Sequence, residues 1–337
     1  MNTSQPTLAT RVRRRTAIAT LAVAAVVAPM VIGVTTSTSS PLPVLSANYK
    51  CVPNASFPQL KAGKRATLRA SYGGFTATFR SAKQPAAKNG YPIVGTPFTG
   101  TLTMTHGGKR WTLPRADNTQ ESQIDGLCVI AFNREHTPGV MVEGYTGGAH
   151  CCEAPVIYLF NRGAGRYDKV VDMSPIDFED AHAFDANQGF LPMVVGDHVL
   201  LRTDDGSFDY AFGCYACSEA PIVLDSVGLN GLTDVTGQHP SIVTADADGI
   251  WKNAQRALAE ETPALQSSIG PFGFLAPWVA DECVLGRGAA AWSTIVSLHR
   301  EGKLSDARYH LFAMNHGSFV ATLHAFLLRD DYCTGQI

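Results

Sequence analysis

The sequence predicts an α+β protein: a mainly antiparallel β body, propeller-like or sandwich, followed by a C-terminal helical bundle. Three observations point to it. Short segments alternate apolar and polar residues with a period of two from about residue 66 to residue 225. Gly, Pro, Asn and Asp separate those segments. Beyond Thr236 the apolar period lengthens to that of a helix. With 337 residues, 45% of them apolar and only 17% charged, the chain can bury one large core or two ordinary ones, which excludes a disordered protein.

The first 47 residues form a unit of their own. Arg11, Arg13, Arg14 and Arg15 precede the uncharged apolar run Ala17–Val34, and a Thr/Ser/Pro stretch follows. Positive flank, hydrophobic helix and polar exit are the order of an export signal. The run is long for a cleaved signal and just long enough to span a bilayer, so residues 1–47 are expected to be an export signal or a membrane anchor. The rest of the chain then lies outside the cytoplasm, secreted or tethered by an uncleaved N-terminal helix. Without the four arginines, 23 basic residues face 29 acidic ones. That balance argues against nucleic acid, whose phosphates are bound by clustered Lys and Arg.

The β-rich body is assigned to residues 48–236. The text from Ala66 to Arg80 reads as a hairpin turning at Gly73-Gly74, and residues 98–113 as a second turning at Gly107-Gly108. Further strands are expected at Leu127–Phe132, Val140–Tyr145, Pro155–Phe160, Tyr167–Met173, His198–Thr203, Phe208–Phe212 and Ile222–Asp225. The helical region is assigned to 237–337. Its apolar faces are Trp251, Ala254 and Leu258; Trp292, Ile295, Val296 and His299; and Phe319, Leu323, Phe326 and Leu327.

All eight cysteines, Cys51, Cys128, Cys151, Cys152, Cys214, Cys217, Cys283 and Cys333, follow the export segment. An even number outside the cytoplasm reads as disulfides. Cys283 and Cys333 flank the last helices and make a natural pair. Cys151 or Cys152 is expected to bridge Cys214 or Cys217, unless the latter two pair locally, and Cys51 with Cys128 is left by elimination. Two of these stations also carry chemical alternatives. In Gly147-Gly148-Ala149-His150-Cys151-Cys152 the glycines let the chain turn tightly and present three reactive side chains. Structural staples are the first reading, zinc held by His150 with the thiols the second, and a thiol activated by His150 the third. Cys214-Tyr215-Ala216-Cys217 has redox spacing but follows a strand-like run rather than opening a helix.

The segment AFNREHTPGVMVEGYTGGAHCC, residues 131–152, resembles secreted bacterial proteins of the FG-GAP or VCBS-like type, most sharply in GGAHCC. A second echo is DANQGFLPMVV, residues 185–195. The resemblance implies β-propeller blades whose aspartate-rich loops bind calcium. Here Ala131 stands where the leading aspartate belongs and His136 where a glycine permits the turn, while the second loop keeps Asp185 and Asn187 but has Gln188 and Gly189. Calcium needs six to eight oxygen ligands, so no cofactor and no metal is expected. The related proteins lack the Cys214 and Cys217 pair, which implies an added staple.

Asp204, Asp205, Ser207 and Asp209 crowd one connection and read first as a turn, second as a carboxylate site. Asp246 and Asp248 read as helix caps. Glu143 is a candidate neighbour of His150. His299, His310, His316 and His324 lack the spacing of a zinc-protease helix, and neither a nucleophile elbow nor a P-loop is present. The binding candidates are therefore His150, Asp204 and Asp205. The expected function is a noncatalytic binding or structural module of the cell envelope, stabilised by disulfides and meeting an envelope or extracellular ligand. Membrane contact is expected only through the N-terminal segment. The alternative is an extracytoplasmic thiol oxidoreductase using Cys214 and Cys217, or a metal-dependent hydrolase using His150 with Asp205 or Glu143.

Overall fold

The structure is a computed structural model that describes residues 48–53, 67–81, 100–113, 123–132, 138–145, 155–172, 190–213, 218–259, 271–305 and 317–337. The described residues lie in one compact unit, which begins at Ala47. They form thirteen strands in three antiparallel sheets and four α-helices, with no closed barrel. The strands are β1 (Tyr49–Pro53), β2 (Thr67–Tyr72), β3 (Phe75–Ser81), β4 (Gly100–His106), β5 (Lys109–Thr112), β6 (Gln123–Ile130), β7 (Gly139–Tyr145), β8 (Val156–Asn161), β9 (Arg166–Asp172), β10 (Leu191–Val195), β11 (His198–Asp204), β12 (Ile222–Gly228) and β13 (Gly231–Asp234). The helices are α1 (Pro240–Ala259), α2 (Phe272–Val284), α3 (Gly288–Arg300) and α4 (Phe319–Arg329).

Each sheet is close to a meander, in the orders β2-β3-β4-β5, β1-β6-β7-β8-β9 and β10-β11-β12-β13. Both Gly-Gly hairpins form where expected. All four turn glycines hold positive φ, between 53° and 78°, which a two-residue hairpin turn requires at both positions.

The five-stranded sheet is buried on both faces. Because successive strand residues point to opposite sides, Leu127, Val129, Val140, Val142 and Tyr158 pack against Leu68, Ala77, Phe79 and Met104 of the first sheet. Ile130, Met141, Ile157 and Val171 pack the other way, against Val199 and Leu201 of the third. The far face of the third sheet, through Leu200, Ile222 and Leu224, meets Val243 of α1. The layers thus run sheet, sheet, sheet, helices.

Several sequence expectations change here. Phe208–Phe212 is not a strand: Gly206–Phe208 forms a 3₁₀ turn and Tyr210 sits at φ 58°. The reason is packing, since Phe208 and Phe212, four residues apart, both enter the helical core and meet Phe326 edge-to-face at 4.8 and 5.0 Å. Asp246 and Asp248 do not cap a helix, because α1 already begins at Pro240, a residue suited to the first helical position. Helix α2 escapes a periodicity search because it is buried nearly all round and carries Pro277 inside. Strands β1, β10 and β13 are also additions; β10 is an edge strand, which tolerates Pro192.

Disulfides join Cys51 to Cys128, direct partners across β1 and β6, and Cys283 at the end of α2 to Cys333 after α4. The first ties the opening strand to the central sheet. The second ties the last segment to the most buried helix.

Candidate functional site

The joint between the third sheet and the helices gathers the most perturbed acids among the described residues. Strand alternation sends Arg202 and Asp204 of β11 to the same side as Leu200, toward α1. Asp246 and Asn253 of α1, seven residues and hence about two turns apart, share one helix face beside the apolar stripe Val243, Ala247, Ile250 and Ala254. Asp281 comes from α2, and Glu219 from the connection into β12, where its N–H donates to Gly273 O at 3.0 Å.

Asp246 is the hub. It accepts from Arg202 Nη2 at 3.1 Å and from the backbone N–H of Ile222. It also pairs with the Asp281 carboxyl. Asp281 is fully buried, and neither of its oxygens receives an N–H or O–H donor. Two carboxyl groups in contact need a proton between them. Burial, then the Asp246 charge, pushes Asp281 well above the carboxylate range, so the Asp246–Asp281 pair shares a proton. Asp246 is itself raised, by burial first, with Arg202 opposing.

Asp204 lies 3.9 Å from the same guanidinium and is 15% exposed. Burial raises it to about 6, against the pull of Arg202 and with a push from Asp246 and Glu219. Glu219, also raised by burial, accepts from Asn253 Nδ2 at 2.5 Å. Two acids, Asp204 and Asp246, therefore face the Arg202 guanidinium at a partly accessible mouth, with Asp281 behind Asp246 and Glu219 beside it. Acids held above their ordinary range by burial and by one another are the physical mark of a functional-site candidate.

The candidates read from sequence separate. Asp204 joins this cluster, but its neighbour Asp205 faces the other way and is buried. One Asp205 oxygen caps the 3₁₀ turn through Ser207 N at 3.1 Å, and the other accepts from the Tyr332 hydroxyl. Glu143 lies over Gly126, where any Cβ would collide with it, and its carboxylate rests 3.4 Å from Cys128 Sγ. That contact carries no hydrogen bond, since a disulfide sulfur has no proton, and Cys51, Cys128 and Glu143 offer no thiolate for zinc while the bond is intact. His150, Cys151, Cys152, Cys214 and Cys217, the loop centres Asn133–Glu135 and Asp185–Gly189, and residues 1–47 lie outside the described residues.

Arg202, Glu219, Asn253 and Asp281 are the members that sequence reading missed, and for Asp281 a signal exists. It is the first acid in the run FGFLAPWVADECV, and an ionisable residue buried in a largely apolar helix needs a partner.

No family model matches the chain, and no solved structure matches it. It is similar to a probable thylakoid lumen protein of Synechocystis sp., 24% identical over 273 residues that cover 76% of this chain and 72% of the relative. No helix among the described residues is long and apolar enough to cross a membrane.

Proposed function

We propose that the chain is a noncatalytic binding or structural module that works outside the cytoplasm and depends on disulfides for its rigidity. The observation that carries this reading is the pair of disulfides, Cys51–Cys128 and Cys283–Cys333, one at each end of the described fold. Such bonds persist in oxidising compartments and are rare in the cytosol. The lumenal location in the relative's name supports the same placement. So does the N-terminal order of arginines, apolar run and polar exit, which serves export and then is either removed or kept as a tether.

Stacked meander sheets suit the FG-GAP-like resemblance, with loops at the sheet ends meeting an envelope or extracellular ligand and needing neither calcium nor another cofactor. The acid cluster fits this reading as a structural joint: Asp281 is sealed from solvent, and Arg202 already supplies the positive charge.

Mass spectrometry of protein whose thiols are alkylated at lysis tests the proposal. No alkylated cysteine is expected before reduction, and eight after it. A reporter fused after residue 53 should be active only outside the cytoplasm. Alkylation of Cys283 and Cys333 in the freshly isolated protein, or a reporter active only inside, would sink it.

A further inference from the structure

Two strands end their sheets side by side. β5 closes the four-stranded sheet and β9 the five-stranded one. Between them lies a groove of about 500 Å³ lined by residues 110–113 and 166–169.

The register shows which backbone groups of β5 point away from β4. Leu113 N donates to Leu102 O at 3.0 Å, which marks those two residues as a hydrogen-bonded pair. Bonded and non-bonded pairs alternate along an antiparallel ladder. Met104–Trp111 is then bonded, while Thr103–Thr112 and Thr105–Arg110 are not. The N–H and C=O of Arg110 and Thr112 consequently point away from β4, toward an edge on which no strand pairs among the described residues.

The floor of the groove is fixed. Trp111 Nε1 donates to Gly165 O at 3.4 Å, and the indole meets Phe160 and Tyr167 edge-to-face, each at 5.7 Å. Tyr167 is in turn anchored by its hydroxyl on Pro138 O at 3.1 Å. The rim carries three cations, two of them paired with aspartates. Arg110 is exposed and has no acidic partner among the described residues, while Arg166 and Lys169 hold Asp168 and Asp172. This is a basic edge on a chain whose body carries an excess of acids.

We propose that the edge of β5 takes an extended, acidic peptide segment of a partner protein as an added strand, its carboxylates meeting Arg110. Backbone hydrogen bonds supply affinity in strand addition, and alternate side chains supply specificity. Cations on an edge strand repel a second copy of the same edge. They admit a strand of opposite charge, so the same residues exclude self-pairing and select the partner. The proposal rests on the reading of the chain as a binding module. The two fail separately, because thiol counts and the reporter fusion report location whether or not a peptide binds.

The test is a fluorescence-anisotropy titration of the full chain with a labelled peptide of about eight residues, a typical strand length, alternating Glu with Val or Thr. Saturable binding is expected, weakened by added salt. Thr112→Pro removes only an outward N–H, and Arg110→Glu reverses the free charge; each should weaken binding about tenfold or more. Circular dichroism checks both folds. If Thr112→Pro does not fold, the same peptide with N-methylated backbone positions should show the loss instead. Equal binding of the Lys-for-Glu peptide, unchanged affinity of the N-methylated peptide, tighter binding of an acidic polysaccharide, or no saturation would each overturn the proposal.

Discussion

Two of the three layer interfaces are built from opposite materials. Between the first and second sheets the contact is hydrocarbon and aromatic, from Leu68, Phe79 and Met104 on one side to Leu127, Val140 and Tyr158 on the other. At the joint between the third sheet and the helices, four acids and one arginine are set among apolar neighbours. Every buried aspartate among the described residues lies after residue 204. The contrast teaches that the early sheets are held by a force indifferent to protons, whereas the joint adds to its apolar contacts a set of acids whose protonation matters.

The largest expected effects fall in the apolar interface. Phe79→Ala removes a ring that is 1% exposed and leaves a cavity, at a cost of roughly 3–5 kcal/mol. Urea denaturation at pH 5 and at pH 8 should show the same loss at both values. A loss that differs strongly between them would break the contrast.

Next come the crosslinks. Cys283→Ser with Cys333→Ser reopens a loop of 50 residues, and chain-entropy reasoning puts the loss at about 4 kcal/mol. Thermal unfolding of the double variant measures it. A loss under about 1 kcal/mol would mean that helix packing alone closes the chain.

These two regions also differ in how much of them the sequence revealed. The hairpins of the first sheet were legible because Gly73-Gly74 and Gly107-Gly108 mark their turns and one face of each strand is wet, so residues alternate. The apolar strands β7 and β8 could be found as short runs bounded by turn residues. The joint was not legible. Helix α2 has no polar face to set a period, and Phe208–Phe212 alternates like a strand although its two phenylalanines point into a helical core. Asp204 stood out only as one of several acids in a turn. Its separation from Asp205 depends on where β11 ends, which tertiary packing decides.

The pH dependence of the joint is the third effect. The groups facing Asp204 are Arg202 on its own strand, Glu219 in the connection and Asp246 on α1; Asp281 and Glu282 on α2 complete the set. Folding raises Asp204 from 3.8 to about 6, so the folded state holds its proton more tightly than the unfolded one. The stability this confers is fully present below about pH 4 and is lost as pH rises through about 6, amounting to about 2–3 kcal/mol. Glu219, Asp246 and Asp281 shift the same way and steepen the loss. Denaturation midpoints should fall between pH 4 and pH 7, and Asp204→Asn should flatten that fall. A midpoint that rises over this range would reverse the assignment.

The smallest effect isolates position from charge. Arg287 and Glu282 make a two-point ion pair at 2.6 and 2.7 Å, better geometry than any contact of Arg202 at the joint. Yet the Arg287 side chain is 46% exposed, so water and salt screen the attraction. Arg287→Ala should therefore cost less than about 1 kcal/mol. Arg202→Ala should cost several times more, because it strips the cation from two largely buried carboxyls, Asp204 and Asp246, and the measured cost should grow as pH rises and Asp204 ionises. Equal losses for the two variants at pH 8 would show that the joint is wet, and the proton control assigned to it would go with that result.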